Sequence, residues 1–286
     1  HACGHDGHTA MLLGAAKHLA ANRDFDGTVI AMFQPAEEGG AGAKAMLDDG
    51  LVDRFGVQCF YGLHALPGVP VGQFATRPGP LMAATVNFDI TIEGKGAHGA
   101  MPHTGVDPVV AAAHIVTALQ TISSRNVDPI KSVVVSVTAI NGGSAYNVIP
   151  QIVALKGTVR FLDAEVGRLT EQRFRAVVEN GARMFDATAT LSYRYGYPAT
   201  VNHAPETDAA VAAAGRVGDG VQTMAPVMGG EDFSFLLQAR PGAFVFIGNG
   251  DSASLHNPGF DFNDGAIPYG IAYYDAIVRS ILPPAA

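Results

Sequence analysis

The order of apolar runs predicts an α/β protein into which a compact α+β domain is inserted. Three observations carry this. Towards both ends of the chain, near-continuous apolar runs alternate with helical stretches, as in a layer built on a buried central sheet. In the middle, polar and apolar residues alternate singly, as in a sheet with one wet face. The middle elements also follow the order β-α-β-β-α-β, the ferredoxin-like arrangement. The first part of the outer domain is placed at residues 1–81, the insertion at 82–196 and the second part of the outer domain at 197–286.

Taken in order, residues 8–22 read as a helix with Met11, Leu12, Ala15, Ala16 and Leu19 on its apolar positions. Residues 27–34 (GTVIAMFQ) are mostly apolar and predict a buried strand. A short helix is expected at 43–49 and buried strands at 57–63 and 71–76. In the insertion, 85–92 (TVNFDITI) alternates as a half-buried strand does. A helix at 107–122, strands at 132–140 and 152–161, an amphipathic helix at 164–184 and a strand at 189–195 follow. Residues 198–205, opened and closed by proline, read as the return linker. The tail predicts helices at 207–214 and 232–238, a strand at 243–247, a polar loop and a last helix at 269–281, with Pro268 suited to its start.

The chain has 286 residues, 48% hydrophobic and 15% charged, enough for two domains and a large core. A net charge of −8 argues against nucleic acid or an anionic membrane as partner. No window approaches the ~18 continuous apolar residues of a membrane span. The two cysteines, Cys3 and Cys59, fit a reducing cytoplasm better than a disulfide scaffold. A chemically loaded loop opens the chain with no initiator Met. We therefore expect a fragment whose N-terminal part is absent.

That opening loop, His1-Ala2-Cys3-Gly4-His5-Asp6-Gly7-His8, puts three His, one Cys and one Asp within eight positions. A thiolate with imidazoles suits a borderline-soft divalent metal such as zinc. Glu37 and Glu38 follow the predicted strand at 27–34, in Gln34-Pro35-Ala36-Glu37-Glu38-Gly39. Adjacent carboxylates repel unless a cation or proton resolves the conflict, so a metal can take one and leave the other to move protons. His64 ends the next apolar run, and His256 lies in a later loop, Leu255-His256-Asn257-Pro258-Gly259. In the insertion, His98 sits in a glycine-rich turn that lacks the Gly-Lys-Ser/Thr of a phosphate loop. Asn147 lies in Asn147-Val148-Ile149-Pro150, and Arg160 stands near the end of an apolar strand. An arginine there needs an anion, either a carboxylate ligand or a structural partner.

Cys3-Gly4-His5-Asp6-Gly7-His8, Gln34-Pro35-Ala36-Glu37-Glu38-Gly39, Gly62-Leu63-His64, Ala97-His98, Asn147-Val148-Ile149-Pro150, Gly230-Glu231-Asp232-Phe233 and His256 occur together and in order. The set resembles the metal-dependent amidohydrolases that include hippurate hydrolase, N-acyl-amino-acid deacylases and the plant indole-acetyl-amino-acid hydrolases. These are distant relatives of aminoacylase and glutamate carboxypeptidase, and longer at the N-terminus. The resemblance implies a zinc-peptidase-like catalytic domain with a central mixed sheet and an inserted lid and dimerisation domain. It matches Cys3, His5, Glu38, His64 and His256 to the positions that hold two divalent ions (zinc, manganese, cobalt or nickel), and Glu37 to the catalytic base. It matches His98, Asn147 and Arg160 to substrate contacts, the histidine often coming from the partner subunit. The implied reaction is hydrolysis of N-acyl amino acids by a homodimer. Glu231 and Asp232 receive no role. Two other readings compete: a cysteine hydrolase using Cys3 and His5, and a metal- or ligand-binding chain without activity.

Overall fold

The computed structural model describes residues 2–284; His1 lies outside them. In chain order the elements are α1 (His5–Ala21), α2 (Gly42–Asp48), α3 (Leu51–Phe55), β1 (Phe60–Leu66), β2 (Gln73–Thr76), β3 (Gly79–Met82), β4 (Ala84–Glu93), β5 (Ala97–His98), α4 (Pro108–Thr121), β6 (Val133–Gly142), β7 (Val148–Ile149), β8 (Ile152–Phe161), α5 (Ala164–Arg183), β9 (Thr188–Tyr195), β10 (Thr200–Asn202), α6 (Ala204–Val217), β11 (Gly220–Thr223), α7 (Phe233–Ala239), β12 (Gly242–Gly248) and α8 (Ile267–Ile281). The chain divides into two compact units. One comprises 1–81, 200–227 and 231–286; the other comprises 82–199 with 228–230.

In the first unit the sheet order is β1-β12-β2-β11. β1 and β12 are parallel, β12 and β2 antiparallel, β2 and β11 parallel, which makes the sheet mixed. Every residue of β12 is buried, as expected of a central strand covered on both faces. Met11 of α1, Phe74 of β2, Val245 and Ile247 of β12 and Tyr273 of α8 meet in one core. Helices α1 and α8 approach closely because Gly270 leaves room for Met11. A two-stranded sheet joins β3 to β10, where the chain passes into the second unit and returns.

The second unit has the antiparallel order β6-β8-β4-β9. With α4 and α5 this is the ferredoxin-like arrangement. In β4 buried and less buried residues alternate along its whole length. Its inward set (Val86, Phe88, Ile90, Ile92) packs with Ile115, Leu119 and Phe174 from the helices. Asp107 and Asp163 cap α4 and α5 by accepting from backbone amides of the first turn.

One predicted element is corrected. Residues 27–34 form no strand; they run without ladder partners and are exposed or half-buried throughout. Their apolar composition carries no information about pairing. The short elements α3, β3, β10 and β11 have no counterpart among the predicted ones, because pieces of three to five residues leave too little periodicity to read.

Candidate metal centre

The opening loop and the first turn of α1 aim Cys3, His5 and His8 inward. Gly4 holds a φ of 80°, open to glycine at little cost, at the step from loop to helix. Gly7 faces the Phe262 ring, which a Cβ would approach to 2.3 Å. His64 stands on β1 and is buried. Its Nδ1 donates to the Ala65 carbonyl oxygen at 2.7 Å, while the Ala65 amide donates to His8 Nε2 at 2.8 Å. His64 Nε2 thereby faces Cys3 Sγ, 3.5 Å away. The imidazoles of His5, His8 and His64 cluster, with centroids 4.3 to 5.9 Å apart.

Two further loops complete the group. The bend after Gln34 presents Glu37 and Glu38, and the loop after β12 presents His256, whose φ is 64°. The His256 amide donates to the Ala2 carbonyl at 2.6 Å. His256 Nε2 lies 2.9 Å from Glu38 Oε1, and His5 Nε2 lies 3.9 Å from Glu37 Oε2. Asn249, nearly fully buried, ties the loop that carries His256: its Nδ2 donates to Ser252 Oγ and the Asp261 carbonyl, and its Oδ1 accepts from the Asn263 amide.

Ligand-type atoms converge in overlapping sets, each within 4.8 Å: Cys3, His5 and His64; Cys3, Glu38 and His256; and His5, Glu37 and Glu38. The first two share Cys3, so the cluster is larger than one ion needs. His5 Nε2 is buried with no hydrogen-bond partner, which fits an atom that ligates a cation. Soft sulfur, imidazole and carboxylate together suit the zinc-like divalent metals. The residues present therefore fit a two-ion centre.

The protonation states follow from burial. The Cys3 thiol is pushed up to about 12, first by burial and then by the Glu38, Glu37 and Glu231 carboxylates. This argues against Cys3 as a nucleophile, which would need a lowered pKa, whereas a bound cation deprotonates a coordinating thiol outright. Burial holds His64 down at about 4, against the opposing hydrogen bond to Ala65, so its ring is neutral and able to ligate. Glu37 is pushed up to about 7, by burial first and then by Glu38 and Asp232. A carboxyl poised there suits general acid–base work.

Glu231 and Asp232, left without a role by sequence reasoning, line the same place. A group formed by Glu37, Glu231 and Asp232 also lies within 4.8 Å. Glu231 is buried, its carboxylate accepts the Phe233 amide at 3.0 Å, and burial followed by Glu37 raises its pKa well above the carboxylate range. The available signal was two acids placed directly before an apolar helix. His8 was visible in the opening loop but received no role, and Asn249 gave no signal.

The second unit holds the remaining candidates. Its β5–β7 ladder sets His98 opposite Val148, which puts His98 beside Asn147, and both are exposed. The Gly99 amide donates to the Asn147 carbonyl at 2.7 Å. Arg160 stands on β8 opposite Thr85 and Val134. Burial lowers its proton affinity, and its guanidinium has no hydrogen-bond or ion-pair partner among the described residues.

Comparison with known proteins bears on the whole arrangement. N-acetyl-L-cysteine deacetylase of Bacillus subtilis (strain 168) is 45% identical over 268 residues, covering 93% of this chain and 64% of the relative. Hippurate hydrolase of Campylobacter jejuni is 39% identical over 285 residues, covering 99% of this chain and 74% of the relative. The chain thus spans about two thirds to three quarters of these relatives' lengths. The YXEP protein of Bacillus subtilis, described as a dinuclear metal binding peptidase from the M20 family, superposes with a TM-score of 0.85. It is 33% identical, with 100% of this chain and 74% of that one covered. A model of peptidase family M20/M25/M40 matches residues 1–280, and the chain belongs to that family.

Proposed function

We propose that this chain carries the two-metal centre of an amidohydrolase that cleaves N-acyl amino acids into a carboxylic acid and a free amino acid. The observation that carries the reading is the pair of ligand sets sharing Cys3, with Glu37 set against them. Cys3, His5, Glu38, His64 and His256 would hold two divalent ions of the zinc, manganese, cobalt or nickel kind. Such ions polarise a carbonyl and acidify water towards neutrality. Glu37 takes the proton from the attacking water and passes it to the leaving amine. The names of the relatives, a deacetylase of N-acetyl-cysteine and a hippurate hydrolase, fit this substrate class.

In this reading Arg160 and Asn147 hold the α-carboxylate, and His98 steadies the oxyanion, supplied to the partner's site by a homodimer built through the inserted unit. An unpartnered, half-buried guanidinium is best matched by a bidentate carboxylate. The unpaired thiols of Cys3 and Cys59 fit a reducing compartment, the cytoplasm. The test is a metal-loaded assay of N-acetyl amino acids and hippurate against their amides and methyl esters. Free carboxylates should be cleaved far faster, and Arg160→Ala should erase most of that preference. Equal rates on both forms would make Arg160 structural.

A further inference from the structure

The bend that presents Glu37 and Glu38 is an unusual piece of backbone. Ala36 and Ala41 both have a φ of 53°, a left-handed conformation that residues with a Cβ adopt at a cost. Gly39 sits between them at 81°. Two of its internal ties are the Gly39 amide on the Glu37 carbonyl and the Gly40 amide on the Ala36 carbonyl. Helix α2, which follows, has no side-chain cap from its own N-terminal residue.

Both flanks of this bend are held by one carboxylate nearly two hundred residues away. Asp232 is fully buried. Its Oδ1 accepts from Gln34 Nε2, just before the bend, and its Oδ2 accepts from the Ala43 amide at 2.9 Å, just after it. Both partners are donors, so both positions require an acceptor, and of the side chains of this size only a carboxylate offers two. Both oxygens engage the bend, and the same side chain also bonds the Glu231 carboxyl.

We infer that Asp232 is a positioning residue: it clamps the two flanks of the 35–42 bend and so sets where the Glu37 and Glu38 carboxylates stand. The inference rests on the proposed metal centre for its consequence, while the tether itself stands on the two hydrogen bonds. Partners that orient metal ligands typically matter by about 10–100-fold in affinity.

The test exploits the polarity of the contacts. Asp232→Asn keeps shape but turns one acceptor into a donor that faces another donor. Adding Gln34→Glu restores both bonds with the first reversed. The side-chain amide introduced at position 232 then donates to the carboxylate introduced at position 34, and its oxygen still accepts from the Ala43 amide. Two readouts are taken on the whole chain: amide exchange of residues 36–43 without metal, and affinity and visible spectrum with cobalt(II). Asp232→Asn should speed local exchange and weaken cobalt binding by about tenfold or more. The double variant should recover most of both. Unchanged exchange in the single variant, or a double variant no better than the single, overturns the inference. The second result would mark Asp232 as a ligand or as plain core. If Asp232→Asn does not fold, Gln34→Met, which removes one tie only, takes its place. A loss there with recovery in the double variant supports the tether, and wild-type exchange there removes it. If the unaltered chain binds no cobalt, the proposed metal centre falls while exchange still decides the tether.

Discussion

Glu37 and Glu38 are neighbours in sequence that share His5 but otherwise face different partners: Glu38 meets Cys3 and His256, while Glu37 lies beside Glu231 and Asp232. Their substitutions should therefore separate. Glu37→Gln should retain metal and lose turnover by about 10²–10⁴-fold, the usual contribution of a general acid–base group. Glu38→Gln should lose metal as well, read by metal content after dialysis. Equal metal loss in both would sink the division of labour. The raised pKa of Glu37 also has a consequence for stability. Its folded value of about 7 exceeds its ordinary 4.5, so the native state binds this proton more tightly than the unfolded chain does. The stabilisation is complete below 4.5 and is lost as pH rises through 7. His64, lowered from 6.5 to about 4, acts in the opposite sense: its contribution is present above 6.5 and lost as pH falls towards 4. Above pH 6.5 the Glu37 effect is therefore the cleaner of the two. Glu231, also raised by burial, acts in the same sense, so the metal-free unfolding temperature should fall there as pH rises and Glu37→Gln should reduce the slope without abolishing it.

At the scale of elements, the contact of α1 with α8 sets where His5 stands. A Cβ on Gly270 would lie 2.0 Å from Met11 Sδ, and Met11 is fully buried. Gly270→Ala should cost about 1–3 kcal/mol by overpacking. Gly215→Ala, in α6, meets only a Val221 methyl at 4.0 Å and should instead stabilise by up to about 1 kcal/mol through helix propensity. Denaturant unfolding of the two variants checks the difference in sign. Most helices and strands were legible because their apolar periods are long. Those of β4 and α5 run for ten and twenty residues. The side chains that converge at the candidate centre were legible because Cys, His and paired Glu are conspicuous at the ends of apolar runs. Residues 27–34 misled because a run such as Val29-Ile30-Ala31-Met32 looks the same whether or not a neighbouring strand is there to pair with it. Asp232 was opaque for a related reason: its role lies in Gln34 and Ala43, and no local pattern links residues so far apart.

For the whole molecule, the inserted unit has two sheet edges, β6 and β9. Exposed strand edges favour pairing between copies. We expect the protein to sediment as a dimer. Mixing His98→Ala protein with Glu37→Gln protein should then regain turnover, because a mixed dimer combines an intact Glu37 on one subunit with an intact His98 on the other. A fully active monomer would remove the dimer and the shared histidine together.

The short ladder between β3 and β10 bears on how the chain folds. It joins the two points at which the second unit leaves and re-enters the first. In the unfolded chain, bringing those points together means closing a long loop, an entropic cost that grows slowly with length but must be met before the contacts that reward it. The second unit draws nearly all of its residues from one continuous stretch, 82–199, and can collapse by itself, delivering its two ends side by side. The first unit cannot complete its sheet until β12 reaches β1 from the far end of the chain. Pulse-labelled amide exchange during refolding should therefore protect β4 and β8 before β1 and β12, with His64 and the loop of His256 among the last parts to be placed.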